Sequence, residues 1–482
     1  MKVSLASGTV FISGNFNVLH AGHIRLFAYA RNFAEKLIVG VISDRLAEDS
    51  AYIEQSLRLE AVRTNNWVDE AILIDEPLES LLCKLQPNFV VKGREFENTD
   101  NIETNVIMEW GGRVIFGSSE LPLSSLNMIK QELASSETHT FPLPGSYMEQ
   151  HRVSLENLAS LVERFKSLRV CVIGDLIVDE YISCESLGMS QEDPSLVVTP
   201  FDNRRFLGGA GIVAAHAAAL GASSSLITVI GDDESGRFAR DILKEYGVSC
   251  KPIVDDSRPT TLKKRYRSEG KTLLRVSHLN QSSVSPELQE RIYKSFVKAI
   301  QECDLVVFSD FNYGCLPTRL IDKCVTAAES ENILCVADSQ CSSQVGDVSR
   351  FKNMELISAT EREVRISLRD NDDGLTVIAE RLRLKAGAKS VMVKLGAEGV
   401  LLHMQSGDGR VITNQLPALN PNPVDVAGAG DSMLIATGLA LAASGSPWEA
   451  AALGSITAAL QVSRLGNIPI PAPKLIASLK GL

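Results

Sequence analysis

The chain has 482 residues, 45% of them hydrophobic and 22% charged, with a formal net charge of −11. That length calls for two or three cores, and the acidic balance excludes the electrostatic footprint expected of a nucleic-acid or anionic-membrane binder. The nine cysteines include no C-x-x-C pair, and Met1-Lys2-Val3-Ser4 runs directly into a strand-like segment, so a reducing cytoplasm is the expected compartment.

In chain order, short apolar runs at 9–13, 37–42, 71–74, 89–91 and 114–116 alternate with helical patterns at 23–33, 55–66 and 101–110. This alternation predicts a parallel sheet with crossover helices. The first run leads into Ser13-Gly14-Asn15-Phe16-Asn17-Val18-Leu19-His20-Ala21-Gly22-His23. His20 and His23 stand three apart at a helix start, so both rings can lie on one face beside the helix amino terminus, where backbone N–H groups and the helix dipole favour phosphate. Gly22 lets a ligand approach the backbone. The alternative for these residues alone is a pair of surface histidines capping an ordinary helix.

Together with Ser43-Asp44, Trp67-Val68-Asp69, Val91-Lys92-Gly93 and Ser124-Ser125-Leu126-Asn127-Met128-Ile129, this motif makes residues 9–130 resemble a nucleotidyltransferase family. That family includes glycerol-phosphate cytidylyltransferases and the adenylyltransferase half of bacterial heptose-phosphate enzymes. The resemblance implies a Rossmann-like domain with Gly14, Asn15 and Phe16 in the nucleotide turn and His20 and His23 as catalytic contacts to the triphosphate. It also implies Lys92 beside the substrate phosphate and Ser124 and Ser125 at a helix start near the nucleotide. The chain departs from the family pattern at Asn17 (usually Asp), at Leu126 (usually Thr) and in a loop after Ser43-Asp44 that is shorter and lacks Lys.

Periodicity fades after Lys130, and 135–146 has loop chemistry. The expected organisation is therefore a domain over 1–134, a linker over 135–160 and a second α/β domain over 161–482. The second domain opens at Arg169-Val170-Cys171-Val172-Ile173-Gly174-Asp175 and continues through strand-like 226–230, 304–308, 334–337 and 390–393. Two stretches, 187–198 and 260–277, read as strands outside the main sheet, forming a lid or an interface. Lys263, Arg265 and Arg267 alternate along the second and would share one face, fit either for a substrate phosphate or for protecting a solvated edge. The longest uncharged stretch, 432–448, is too short for a bilayer span of about 20 residues and reads as a buried helix.

Phosphoryl transfer to a hydroxyl needs an anion site and a carboxylate to take the proton. Gly428-Ala429-Gly430 offers small residues and free amides at a helix start, with Asp431 directly after them. A glycine turn followed by an unremarkable aspartate is the plainer alternative. The motif joins Gly174-Asp175, Asp179, Gly208-Gly209-Ala210-Gly211, Ser309-Asp310-Phe311, the segment 358–363 and Lys394-Leu395-Gly396-Ala397-Glu398-Gly399. With these, residues 161–482 resemble the ribokinase-like sugar kinases, most closely their heptose-phosphate kinase branch. The resemblance implies Asp431 as base, Gly428, Ala429 and Gly430 as anion hole, and Asp179, Gly208, Gly209 and Asp310 at the sugar. Lys263, Arg265 and Arg275 would lie near the sugar's distal phosphate, and Thr360, Glu363, Lys394 and Gly396 beside ATP, with Glu363 serving Mg2+. Ile212, Tyr313, Gln340 and Thr360 depart from that pattern.

The combined expectation is an α/β protein: a Rossmann-like transferase domain, then a ribokinase-like domain with a small β lid. It resembles the fusion of heptose 7-phosphate kinase and heptose 1-phosphate adenylyltransferase, with the domain order reversed. Implied partners are a sugar phosphate, nucleoside triphosphates and a second copy of the chain, with ATP and Mg2+ as cofactors and neither nucleic acid nor membrane. Two rivals remain: a kinase for another sugar or polyol with a CDP-forming or inactive transferase domain, and a nucleotide- or sugar-binding regulator without turnover.

Overall fold

The computed structural model describes residues 8–19, 21–31, 33–47, 50–93, 102–117, 141–190, 192–268, 271–340, 346–406 and 409–480. The chain divides into two units, Met1–Glu137 and Thr138–Leu482.

In the first unit, strands β1 (Thr9–Gly14), β2 (Lys36–Ile42), β3 (Glu70–Ile74), β4 (Phe89–Gly93) and β5 (Arg113–Gly117) form one sheet in the order β3-β2-β1-β4-β5. Every pairing is parallel. Side chains alternate between two cores, Val10 and Ile12 facing one and Phe11 the other, as a sheet covered by helices on both faces requires. The strand order reverses between β1 and β4, where an open parallel sheet leaves a crevice at its carboxyl ends. Gly14 ends β1 and Lys92 lies near the end of β4, so both flank that crevice.

The second unit carries a nine-stranded sheet. Its strands are β6 (Arg169–Gly174), β9 (Ser223–Ile227), β11 (Ser249–Cys250), β15 (Leu305–Asp310), β16 (Leu334–Ser339), β17 (Leu356–Thr360), β18 (Ser390–Lys394), β19 (Val400–Gln405) and β20 (Val411–Leu416). The order is β11-β9-β6-β15-β16-β17-β18-β19-β20, parallel except for β18 with β19 and β19 with β20. Val170 and Val172 face one core while Cys171 and Ile173 face the other. Here the chain direction across the sheet switches between β6 and β15, and Asp175 and Asp310 stand at those two strand ends.

A separate sheet, in the order β14-β13-β7-β8, is built from β7 (Leu176–Met189), β8 (Leu196–Gly209), β13 (Thr261–Ser268) and β14 (Lys271–His278), while β10 (Val229–Ile230) and β12 (Ile253–Val254) form a parallel pair of their own. The four-stranded sheet is the expected lid. The sequence pattern located β13 and β14 well, whereas 187–198 divides between the end of β7 at 187–189 and the start of β8 at 196–198, two paired strands of 14 residues each.

Two expectations are corrected. The linker over 135–160 is part of the second unit from Phe141 onward: helices Gly145–His151 and Leu155–Arg164 bury Phe141, Tyr147, Leu158, Leu161 and Val162 in its main core. The spacing of Leu158, Leu161, Val162 and Phe165 is a helical stripe that the loop chemistry before Gly145 had masked. The stretch 432–448 is likewise two helices, Ala429–Ala442 and Pro447–Val462. Ser444 takes φ 63, and the second helix starts afresh with Ser446 in a capping box with Glu449 and Pro447 in its first turn.

Candidate active sites

In the first unit, β1 runs out at Gly14, and Phe16 turns the chain with φ 48, a conformation rare outside glycine. Packing holds it there, since the Phe16 ring is buried with its edge against His23 at 5.1 Å between centroids and close to Phe27 at 5.7 Å. His23 thus sits on helix Ala21–Ala30 against the turn at Phe16. His20, Ser124 and Ser125 lie outside the described residues.

The departures from the family pattern gain a physical account. Asn17, where an acid is usual, donates from Nδ2 to the Ser50 carbonyl at 2.8 Å and accepts at Oδ1 from the Tyr52 amide at 2.9 Å. Asn15 Nδ2 donates to Ser50 Oγ at 2.9 Å. An aspartate at 17 would lose the donor, so the asparagine matches the shortened loop. Arg58, 1% exposed, donates to the carbonyls of Asn15 and Ile53, each at 2.6 Å, and pairs with Asp44 at 2.5 Å. Sequence reasoning missed it, because nothing in its local pattern marks an inward-pointing arginine. Lys92 forms a 2.7 Å ion pair with buried Glu103, so a phosphate binding there competes with a carboxylate.

In the second unit one cavity of about 880 Å3 brings together Asp179, Gly209, Lys263, Arg265, Thr360, Glu363, Lys394, Gly396 and the whole turn Gly428-Ala429-Gly430-Asp431. Gly428, at φ 76, caps helix Ala429–Ala442. A Cβ on it would come within 2.0 Å of Asn467 Oδ1, so only glycine fits. The first N–H groups of that helix have no intrahelical acceptor, and Gly428, Ala429 and Gly430 line the cavity, an arrangement suited to an anion. A Cβ on Gly430 would lie 3.3 Å from the Lys394 ammonium, which sets that cation against the turn.

The electrostatics follow from burial. Asp431 is almost fully buried, and desolvation with the nearby Asp338 charge pushes its carboxyl up to about 7, against the pull of Lys394. The Lys394 ammonium touches Asp338. Burial pulls Lys394 down, but the charges of Asp338 and Glu363 outweigh it, and the group stays cationic. Glu363 accepts from the Thr360 amide at 2.6 Å while Thr360 Oγ1 accepts from the Glu363 amide at 3.3 Å, a capping box that fixes the carboxylate at the cavity wall.

On the lid side, Asp179 Oδ1 pairs with Arg265 at 2.9 Å, and burial raises its carboxyl despite Arg265 and Lys263. Gly208 and Gly209 are explained by proximity: Cβ atoms there would meet Asp179 Oδ2 at 2.5 Å and the Asp175 carbonyl at 2.3 Å. Lys263, Arg265 and Arg267 do share a face, whereas Lys264 points to Glu180 on the other at 3.2 Å. The Lys263 ammonium stands 5.1 Å from the centroids of both Phe311 and Tyr313. Asp175 shapes that aromatic loop by accepting from the amides of Phe311, Tyr313 and Cys315 at 2.8, 3.2 and 3.1 Å.

Two expected substrate contacts, Asp310 at the sugar and Arg275 near its distal phosphate, do not line this cavity. Asp310 is absent from the cavity lining, its carboxylate being taken up by Ser339 Oγ and Arg350, both at 2.5 Å. Arg275, opposite Arg265 in register, is exposed and also outside the lining. Gly208 contributes by making room for Asp179 rather than by lining the cavity. The sequence reading missed the apolar wall formed by Pro417, Leu419, Val426, Ala458, Ala459 and Val462. Its helical part could have been found, since 455, 458, 459 and 462 follow the i, i+3, i+4, i+7 stripe.

Residues 167–475 match the profile described as pfkB family carbohydrate kinase, and residues 11–137 match that described as cytidylyltransferase-like. Among curated proteins, the chain is 30% identical over 331 residues to the Bifunctional protein HldE of Desulfatibacillum aliphaticivorans, covering 67% of this chain and 66% of that protein. It is 28% identical over 329 residues to the protein of the same name from Geotalea uraniireducens, covering 67% and 65%. The matches thus span just under two thirds of those relatives. Among solved structures, phosphofructokinase-2 from Escherichia coli superposes with a TM-score of 0.54 at 18% identity, covering 65% of this chain and 99% of that one. Arabidopsis thaliana ribokinase complexed with ribose and ATP gives 0.50 at 18% identity, again covering 65% and 99%. At such identities these two establish the fold.

Proposed function

We propose, from the premise that the chain belongs to the pfkB family of carbohydrate kinases and carries a cytidylyltransferase-like domain ahead of its kinase domain, that it performs two successive steps of nucleotide-sugar synthesis. The kinase unit phosphorylates the anomeric hydroxyl of a sugar phosphate resembling heptose 7-phosphate. The transferase unit then lets that sugar 1-phosphate attack the α-phosphorus of ATP, breaking the bond to the β-phosphate and giving an ADP-sugar and pyrophosphate.

The observation that carries the reading is the buried Asp431 carboxyl, at about 7, next to the Gly428–Gly430 turn and the Lys394 ammonium. A base of that strength takes the hydroxyl proton near neutrality as the oxygen attacks. The turn amides and Lys394 face the migrating phosphate and hold the charge that spreads over its oxygens. Asp179 orients sugar hydroxyls, and Lys263 with Arg265 receives the substrate's own phosphate. In the transferase unit, His20 and His23 steady the triphosphate while the sugar phosphate displaces pyrophosphate. Neither step requires a covalent intermediate.

ATP and Mg2+ are the proposed cofactors. Among the described residues no group of three or more His, Cys, Asp or Glu gathers to hold an ion, and the carboxylate fixed at the cavity wall is Glu363. That donor set suits Mg2+, which arrives with phosphates and waters and needs one or two protein oxygens. Bound there, the ion would neutralise phosphate charge.

A homodimer is the proposed assembly, because Met189, Val197 and Phe201 expose apolar surface toward the far end of β7 and β8, Phe201 being 74% exposed. Cytoplasmic residence belongs to the same proposal, on the eight described cysteines, which are all free.

The departures at Tyr313 and Gln340 favour one variant reading, a kinase for another phosphorylated sugar or polyol with a CDP-linked product. A pure regulator has no use for a base beside an anion site. The test is to incubate the chain with ATP or CTP and a panel of sugar and polyol phosphates, measuring ADP and pyrophosphate separately. ADP release that depends on a sugar phosphate, followed by pyrophosphate release, supports the proposal. Release of neither product from any member of the panel refutes it.

A further inference from the structure

Tyr181 is 4% exposed and does not line the cavity, yet it stands between the two halves of the kinase site. On β7 it follows Asp179 by two residues, so both project to one face, and in register it opposes Arg265 of β13. The guanidinium carbon of Arg265, whose fork pairs with Asp179, lies 5.3 Å from the Tyr181 ring centroid, and that of Arg267 lies 5.0 Å away. Phe206 meets the ring edge-on at 5.1 Å between centroids and packs in turn on Gly466, where a Cβ would be 2.4 Å from it.

The polar end of Tyr181 points to the other half. Its hydroxyl donates to Asp425 Oδ2 at 2.8 Å across 244 residues of sequence, and burial keeps it protonated as a donor. The same oxygen accepts from the Gly466 amide at 3.1 Å and faces Arg267 at 3.6 Å. Asp425 Oδ1 accepts from the Ala427 amide at 3.1 Å, one residue before Gly428. An unbroken set of contacts therefore runs Asp179, Arg265, Tyr181, Asp425, Ala427, from the lid's substrate face to the start of the anion-hole turn.

We propose that Tyr181 is a positioning residue that ties the lid to the anion-hole turn, so that the turn amides are correctly aimed only when the lid is docked. The inference rests on the kinase reading above. It assigns Tyr181 no contact with substrate. A substrate phosphate that engages Lys263 and Arg265 steadies β13 and β7, and through the tyrosine hydroxyl it steadies Asp425. Phosphoryl transfer to sugar is then favoured over transfer to water.

Tyr181→Phe keeps the ring and its two stacked guanidinium groups and removes only the hydroxyl. Losing a hydrogen bond to a charged group is expected to speed amide exchange in the peptide spanning 424–431 by about ten-fold and to lower kcat for sugar phosphorylation by about the same factor. The KM for ATP should stay within about two-fold. ATP hydrolysis without sugar should persist, so that more ADP is released per sugar phosphorylated. Combined with Asp425→Asn, the second substitution should add little to the first, as partners in one contact behave. Exchange at 424–431 matching the wild type overturns the proposal, as does an unchanged kcat or strict additivity of the two substitutions. So does exchange that quickens equally throughout the second unit with a lowered melting temperature, which would mark Tyr181 as a packing residue. If the wild type phosphorylates no sugar, the kinase reading falls, and exchange at 424–431 alone decides the tie.

Discussion

Replacing Asp431, the proposed kinase base, should make the protein more stable and much less active at once. The Asp431 carboxyl is raised from 3.8 to about 7, so between those values the folded state binds a proton that the unfolded chain has released. Stability contributed by this group is full below the unfolded value and is lost as pH rises through the folded one. A shift of this size corresponds to about 4 kcal/mol by pH 8, roughly two thirds of it accumulated between pH 5 and pH 8. Asp431→Asn has no charge to bury and escapes that loss. Relative to the wild type it should gain stability from pH 5 to pH 8, while sugar phosphorylation falls by about 100-fold or more. Urea unfolding at the two pH values measures the gap, with Trp448 as reporter after Trp67 and Trp110 are replaced by Phe. A variant no more stable than the wild type at pH 8, or a gap of equal size at pH 5, refutes the assignment of a buried base poised near neutrality. In the wild type, kcat/KM for the sugar should fall about ten-fold per pH unit below the base's value.

Three further outcomes are expected. Arg265→Ala removes the partner of Asp179 and the proposed phosphate contact, so the KM for the sugar phosphate should rise by about ten-fold or more while that for ATP moves little; equal effects on both would disprove the assignment. Asn17→Asp retains the acceptor for Tyr52 but loses the donor to Ser50, and should destabilise the first unit by about 1–3 kcal/mol and slow pyrophosphate release. Thermal unfolding followed by Trp67 and Trp110, with Trp448 replaced by Phe, checks this, and an unchanged midpoint contradicts it. His20→Ala and His23→Ala should each abolish pyrophosphate release and leave sugar-dependent ADP release intact; transfer surviving both would move the chemistry elsewhere.

What the sequence made legible was local. Strand periodicity placed β1 to β5 and, in the second unit, β6, β15, β16 and β18, because each shows its own apolar run, whereas the two-residue β11 and the strand β17 before the capping box at Thr360 went unread, and the Gly428–Asp431 turn stood out in four adjacent residues. Pairings between distant residues left no such trace. Arg265 reads as a cation free for phosphate, yet it is already paired with Asp179. Asp310 reads as a sugar ligand, yet Arg350 and Ser339 occupy it. Arg58 and Tyr181 matter through partners that a spacing rule cannot identify, since a period reports which face a side chain takes and not what stands opposite it. The helices Gly145–His151 and Leu155–Arg164 were absorbed into an expected linker because they are short and follow a stretch rich in Ser, Thr and Pro.

The most direct test of the two-step account is a phosphorus NMR time course of the full chain with ATP, Mg2+ and a heptose 7-phosphate in one tube. The account predicts a resonance from an anomeric phosphate that grows as ADP forms, then declines as a sugar-linked diphosphate and free pyrophosphate appear. An anomeric phosphate that accumulates without pyrophosphate, or pyrophosphate formed with no preceding anomeric phosphate, would contradict it.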